Sequence, residues 1–123
     1  MTGVVNDQLE ATLRLVVVGA NGQPSREVSA VMDTGYNGAI TLPPSAVSAL
    51  ALPRGASREV TLGDASRKVF DYYTASVIWD GQARKVRVLC VEGTPLIGTA
   101  LLRGYKLESD FVAGGPVVLT ALA

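Results

Sequence analysis

The residues best suited to chemistry are Asp33, Thr34 and Gly35, which follow an apolar run of Val28, Ala30, Val31 and Met32. An acid that leaves a buried strand straight into a Thr-Gly turn is costly, because an apolar surrounding penalises an unpaired charge. Such a placement is tolerated where the carboxylate has a task, and the task open to a lone acid beside a turn is proton transfer to or from water. The chain holds one Asp-Thr-Gly and no second copy. Any chemistry that needs two such carboxylates therefore needs two chains.

Composition removes most rival chemistries. The chain has 123 residues and no histidine, so a Ser-His-Asp triad and a histidine metal site are excluded. Its one cysteine, Cys90, permits neither an intrachain disulfide nor a thiolate zinc cluster, and reads as a small core residue. No metal and no cofactor are expected. Eleven basic and eleven acidic side chains cancel, which leaves no net field to hold nucleic acid or an anionic membrane. No charged leader with an apolar segment opens the sequence, and no apolar stretch approaches the ~18 residues of a membrane span, so a cytoplasmic protein is expected. What remains for chemistry is carboxylates, hydroxyls and backbone groups.

Stepping outward from Asp33, the elements around it read as mostly β. Thirteen glycines and six prolines favour a turn-rich architecture over a helical bundle. A 1–123 single domain is expected, all-β with two short helices. A strand from Leu9 to Ala20 meets an Asn21-Gly22 hairpin turn and returns as Arg26 to Met32. A short strand from Ala39 to Leu42 precedes a helix opened by Pro43-Pro44. Arg58 to Leu62 and Lys68 to Tyr73 form a hairpin tipped by Gly63-Asp64-Ala65-Ser66, with few large apolar groups at its end. Thr74 to Trp79 and Arg84 to Val91 form another across Asp80-Gly81, with Val86, Val88 and Cys90 on one face and Lys85 and Arg87 on the other. Leu96-Ile97-Gly98 is a brief strand, Thr99 to Arg103 a helical turn or two, and Tyr105 to Phe111 and Pro116 to Leu122 are the last strands. A faint twofold pattern follows: strand, Asp-Thr-Gly and helix are echoed by strand, Leu-Ile-Gly and helix, without a second acid.

Val31-Met32-Asp33-Thr34-Gly35, the hairpin around Gly63 to Ser66, and Leu96-Ile97-Gly98-Thr99-Ala100-Leu101-Leu102 occur in the order of the retropepsin-like, single-domain aspartic proteases. The resemblance spans roughly Leu9 to Leu119 and lies nearest the bacterial and archaeal members. It implies a retropepsin-like β-barrel, one lobe per chain, acting as a homodimeric aspartic endopeptidase on peptides or unfolded proteins. By the same resemblance Asp33, Thr34 and Gly35 form the catalytic loop, with the Thr34 hydroxyl locking the loops of two chains together. The hairpin tip, Gly63, Asp64 and Ala65, becomes a flap that closes over an extended substrate. Tyr36, Asn37, Leu96 and Ile97 become pocket walls, and Gly98 lets its turn pack beneath the catalytic loop. Pro116 to Leu119 corresponds to the terminal strand that retroviral members pair between chains.

The chain departs from the retroviral pattern in linked ways. Tyr36-Asn37-Gly38 replaces a small residue and an acid, and Thr99 stands where an arginine would pair with that acid. The alternative reading is a catalytically silent dimerisation or peptide-binding module on the same fold; a plain β-barrel subunit is the third. Elsewhere the residues read as ordinary. Val16 to Gly22 lacks the lysine of a phosphate loop. Trp79, Tyr72 and Tyr73 read as sheet-packing aromatics, and Arg84, Lys85 and Arg87 as the solvated face of a strand.

Overall fold

Turn chemistry cuts the chain into strands, and alternation of apolar side chains decides which face each strand buries. The computed structural model describes residues 1–61 and 63–123, and of residues 56–60 the backbone alone. The described elements are β1 (Thr2–Val5), β2 (Ala11–Val17), β3 (Arg26–Met32), β4 (Ile40–Leu42), α1 (Pro44–Ala49), β5 (Arg54–Thr61), β6 (Arg67–Trp79), β7 (Gln82–Cys90), β8 (Leu96–Ile97), α2 (Thr99–Leu102), β9 (Tyr105–Ser109) and β10 (Pro116–Ala121). Among the described residues no helix is long and apolar enough to cross a membrane.

The sheet runs β5-β6-β7-β4-β8-β3-β2-β1-β10-β9, and β6 also pairs with β2. That extra pairing, Val16 opposite Ile78 and Val17 opposite Val77, closes β2, β3, β8, β4, β7 and β6 into a barrel. The barrel is mixed, since β3–β8 and β4–β7 are parallel while its other pairs are antiparallel. Leu15, Val17, Ile40, Leu42, Val88 and Leu101 fill it, with α1 adding Val47 and the following Leu50. The Asn21-Gly22 and Asp80-Gly81 turns have both residues at positive φ (51° and 78°, 53° and 79°), the type I′ geometry that matches strand twist.

The architecture is the all-β one with two short helices that the sequence predicts, with four differences of detail. β1 is an added strand between β2 and β10, and Gly3 makes room for it: a Cβ there would lie 1.9 Å from the Thr12 carbonyl oxygen. The two predicted strands Lys68 to Tyr73 and Thr74 to Trp79 are one strand, β6, because nothing between Tyr73 and Thr74 breaks the extended run and β7 pairs across the junction. The predicted tip strand begins earlier, at Arg54, and Leu62, its predicted end, lies outside the described residues. The predicted terminal strand is present as β10, but β1 and β9 of the same chain occupy both its edges. Cys90 sits half-buried at the margin of the core and not inside it.

Candidate active site

Asp33 stands where β3 ends. Its N–H donates to the Ile97 carbonyl at 2.9 Å, continuing the parallel β3–β8 ladder one residue past Met32. The Gly35 N–H donates to Asp33 Oδ1 at 2.9 Å and the Tyr36 N–H to the Asp33 carbonyl at 3.1 Å, so the chain reverses in an Asx turn built on the acid itself. Asp33 is half-buried, whereas Thr34 and Gly35 are exposed. A Cβ on Gly35 would sit 3.2 Å from Asp33 Oδ1, so a larger residue would crowd the carboxylate. Among the described residues, neither Asp33 Oδ2 nor the Thr34 hydroxyl has a partner.

The second half of the chain braces this loop. Gly98 N–H donates to the Ala39 carbonyl at 3.0 Å, Thr99 N–H to the Tyr36 carbonyl at 2.8 Å and Ala100 N–H to the Gly38 carbonyl at 3.2 Å. The first N–H groups of α2, which a helix leaves without intrahelical partners, are thereby satisfied by the loop after Asp33. Thr99 Oγ1 adds a hydrogen bond to the Tyr36 carbonyl at 3.3 Å. Gly98 is needed for space alone: its backbone is extended (φ −100°, ψ 179°), yet a Cβ would lie 2.1 Å from the Gly38 carbonyl oxygen. The Tyr36 ring covers Gly38, where a Cβ would meet its Oη at 2.2 Å. Burial, reinforced by nearby Tyr72, pushes the Tyr36 hydroxyl up to about 12, so it stays a neutral donor.

Two grooves adjoin the loop. Leu9, Glu10, Met32, Asp33, Thr34, Leu96 and Phe111 line the first, a mainly apolar channel with the Asp33 carboxylate and Glu10 in its wall. Tyr36, Asn37, Tyr72, Arg84, Lys85 and Arg87 line the second. The predicted residues therefore separate: Asp33, Thr34 and Leu96 share one groove, while Tyr36 and Asn37 share the other. Ile97 is a correction, since it is 0% exposed and belongs to the core. Adjacent residues of a strand point to opposite faces, so only Leu96 of the pair reaches the groove. Gly63, Asp64 and Ala65 sit at the tip of the β5–β6 hairpin, apart from both grooves. There Asp64 accepts from the Ser66 hydroxyl and from the Ser66 N–H at 2.9 Å, which holds its carboxyl below the ordinary range.

Three contributors have no site role in the sequence reading. Thr41, 3% exposed, accepts the Leu96 N–H on Oγ1 at 2.9 Å and so sets the strand that carries the groove wall. Gly38 admits the Tyr36 ring. Arg84 is half-buried, not solvated, and donates to the Ala100 and Leu101 carbonyls at 3.3 Å each, tying α2 to β7. Its neighbours offered one cue, since Arg84 shares the strand face of buried Val86 and Val88. Among the described residues no cluster of His, Cys, Asp or Glu is placed to hold a metal ion.

No protein-family model and no curated protein matches this sequence. Among solved structures the chain is similar to a retropepsin-like aspartic protease from Rickettsia conorii, with a TM-score of 0.59 and 18% identity over 100% of this chain and 91% of that one. It is also similar to the EIAV protease complexed with the inhibitor HBY-793, with a TM-score of 0.54 and 16% identity over 76% of this chain and 86% of that one. The barrel with its two short helices is thus a retropepsin-like fold, as the ordered motifs imply.

Proposed function

We propose that this retropepsin-fold chain is an aspartic endopeptidase that works as a homodimer, each copy contributing Asp33 to a pair of carboxylates that share one proton. The observation that carries this reading is Asp33 itself: one half-buried acid per chain, with Oδ1 held by Gly35 N–H at 2.9 Å and Oδ2 unengaged among the described residues. Two carboxylates close together do not both ionise easily, so one stays protonated. The ionised one takes a proton from water as that water attacks the scissile carbonyl carbon, and the protonated one donates to the carbonyl oxygen. The tetrahedral intermediate then collapses, the C–N bond breaks, and the departing nitrogen takes up a proton from the pair. Such a pair titrates with two joint values rather than one per residue.

The surroundings support a second copy. The exposed Thr34 hydroxyl is available to bond across a twofold axis. Leu9 and Phe111, 53% and 61% exposed, line the Asp33 groove with an apolar surface suited to cover by another protein. With both β10 edges filled, a sheet shared between copies would extend from the open edge of β9. The β5–β6 hairpin, exposed along Lys68 and Val69, is the element able to act as a flap over an extended peptide. The test is digestion of an unstructured protein at mildly acidic pH: the chain should cleave it and Asp33→Asn should not. Cleavage that survives Asp33→Asn would end this assignment.

One observation favours the silent-module alternative. The hairpin tip from Gly63 to Ser66 turns on its own Asp64–Ser66 hydrogen bonds and offers only Ala65 as an apolar contact. A confirmed dimer that yields no Asp33-dependent product from diverse peptides at any pH would establish that alternative.

A further inference from the structure

The second groove carries an excess of positive charge that the chain as a whole does not. Arg84, Lys85 and Arg87 line it, and among the described residues no carboxylate does. The chain balances eleven basic against eleven acidic residues, so this concentration is local. The ion pairs Arg14–Glu27, Arg54–Asp71 and Lys106–Glu108 lie elsewhere. Arg84 is anchored by the α2 carbonyls. The Arg87 guanidinium lies over the Tyr72 ring, 5.6 Å from its centroid, a cation–π contact that holds it beside the groove. Lys85 is exposed and makes no hydrogen bond or ion pair among the described residues. Tyr36, neutral to about pH 12, adds no compensating negative charge, and Asn37 occupies the loop position without an acid.

Backbone geometry gives the groove a way to hold a peptide. β4 runs beside β7 only from Val88 to Cys90, so among the described residues no strand lies next to Arg84 to Arg87 on that edge. An extended segment laid there can use main-chain hydrogen bonds while its side chains meet the cations. The groove starts at Tyr36, past Asp33 in the chain, and does not include the acid.

We propose that this groove is a subsite for an acidic side chain of the peptide, at a position flanking the scissile bond and not next to it. That the bound peptide is cleaved rests on the endopeptidase reading above; the groove's preference for acidic peptide does not. In a twofold dimer the groove occurs twice, so acidic residues are favoured on both sides of the cleaved bond.

Two measurements test this, using a cleavable centre taken from a library digest and flanked by Glu, Gln or Lys. With the wild-type chain, Glu flanks should lower KM about 5- to 20-fold relative to Lys flanks with kcat little changed, an advantage that shrinks as salt is added. The double reversal Lys85→Glu/Arg87→Glu, at exposed positions that leave Arg84 in place, should invert the order, and Arg87→Gln should weaken it. An order of flanks that the reversal leaves unchanged overturns the proposal. In parallel, Asp33→Asn protein is titrated with fluorescent library-derived peptides carrying the same flanks and followed by anisotropy. Binding that prefers acid and reverses with the double variant supports the subsite even if wild-type protein cleaves nothing, in which case the endopeptidase reading alone falls. Absent binding, or binding indifferent to flank charge, refutes the subsite whatever the activity.

Discussion

Gly98→Ala isolates the contact on which the site geometry depends. At φ −100° and ψ 179° any residue adopts this backbone freely, so the substitution introduces no conformational strain of its own. Its whole cost is steric. The new methyl would stand 2.1 Å from the Gly38 carbonyl oxygen and 2.6 Å from both the Tyr36 carbonyl oxygen and Cδ2. Two of those atoms are backbone, so relief requires the Tyr36–Ala39 segment and the start of α2 to separate. Separation stretches Gly98 N–H to Ala39 O, Thr99 N–H to Tyr36 O and Ala100 N–H to Gly38 O. Overpacking costs roughly 1–3 kcal/mol, and each weakened hydrogen bond up to about 1 more, which together give about 3–5 kcal/mol. For a chain of this size that corresponds to a fall in Tm of roughly 10–20 °C. Calorimetry and urea unfolding measure it directly. Gly63→Ala is the control, because nothing lies within 4 Å of a Cβ there and its φ is not in the left-handed region; it should change stability by less than about 0.5 kcal/mol. A Gly98→Ala protein as stable as the Gly63→Ala control would refute the close approach of the two loops.

Thr41→Val keeps the shape of a buried side chain but leaves the Leu96 N–H without its acceptor, so urea unfolding should show a loss of about 1–3 kcal/mol. Tyr36 keeps its proton in the folded chain to about pH 12, while the unfolded chain releases it near 10. The folded state therefore gives full stability from this group below pH 10 and loses it as pH rises towards 12, and Tyr36→Phe should flatten that alkaline decline in unfolding measurements. Phe111→Asp places a charge on the apolar surface near Asp33; sedimentation equilibrium should shift towards monomer, with the far-UV spectrum unchanged and peptidase activity falling on dilution.

What was legible in the sequence is what local chemistry decides. Asp80-Gly81 takes positive φ at both residues and joins β6 to β7 directly as a tight hairpin, while Asn21-Gly22 takes the same geometry within the longer 18–25 connection. The succession of Asp33-Thr34-Gly35 and Leu96-Ile97-Gly98 was legible because each ends an apolar strand at a turn. The facing of Ile97 was not, because it depends on β8 lying parallel to β3, a pairing between residues distant in the chain. Arg84 was misassigned for the same reason. Strand alternation sets it apart from Lys85 and Arg87, but only the arrival of α2 over β7 gives it carbonyls to bind. β1 is held by room that Gly3 leaves against Thr12, a tertiary fact that a short glycine-containing segment does not announce.

The twofold echo between the halves gains a physical meaning from the same pairing. β3 and β8 lie side by side, Val31 beside Leu96 and Met32 beside Ile97, so the loop after each strand emerges next to the other. If the chain were to supply two acids by itself, the second would stand at the end of β8. Gly98 and Thr99 are there instead, and their N–H groups are spent on Ala39 and Tyr36 of the first loop. A side chain at Gly98 would collide with that loop, so an acid cannot be installed there without displacing the turn that holds Asp33. The second half thus braces the acid of the first half and leaves no place for its own. A second acid equivalent to Asp33 must then come from another chain, which is why Asp33-dependent activity should rise and fall with dimerisation.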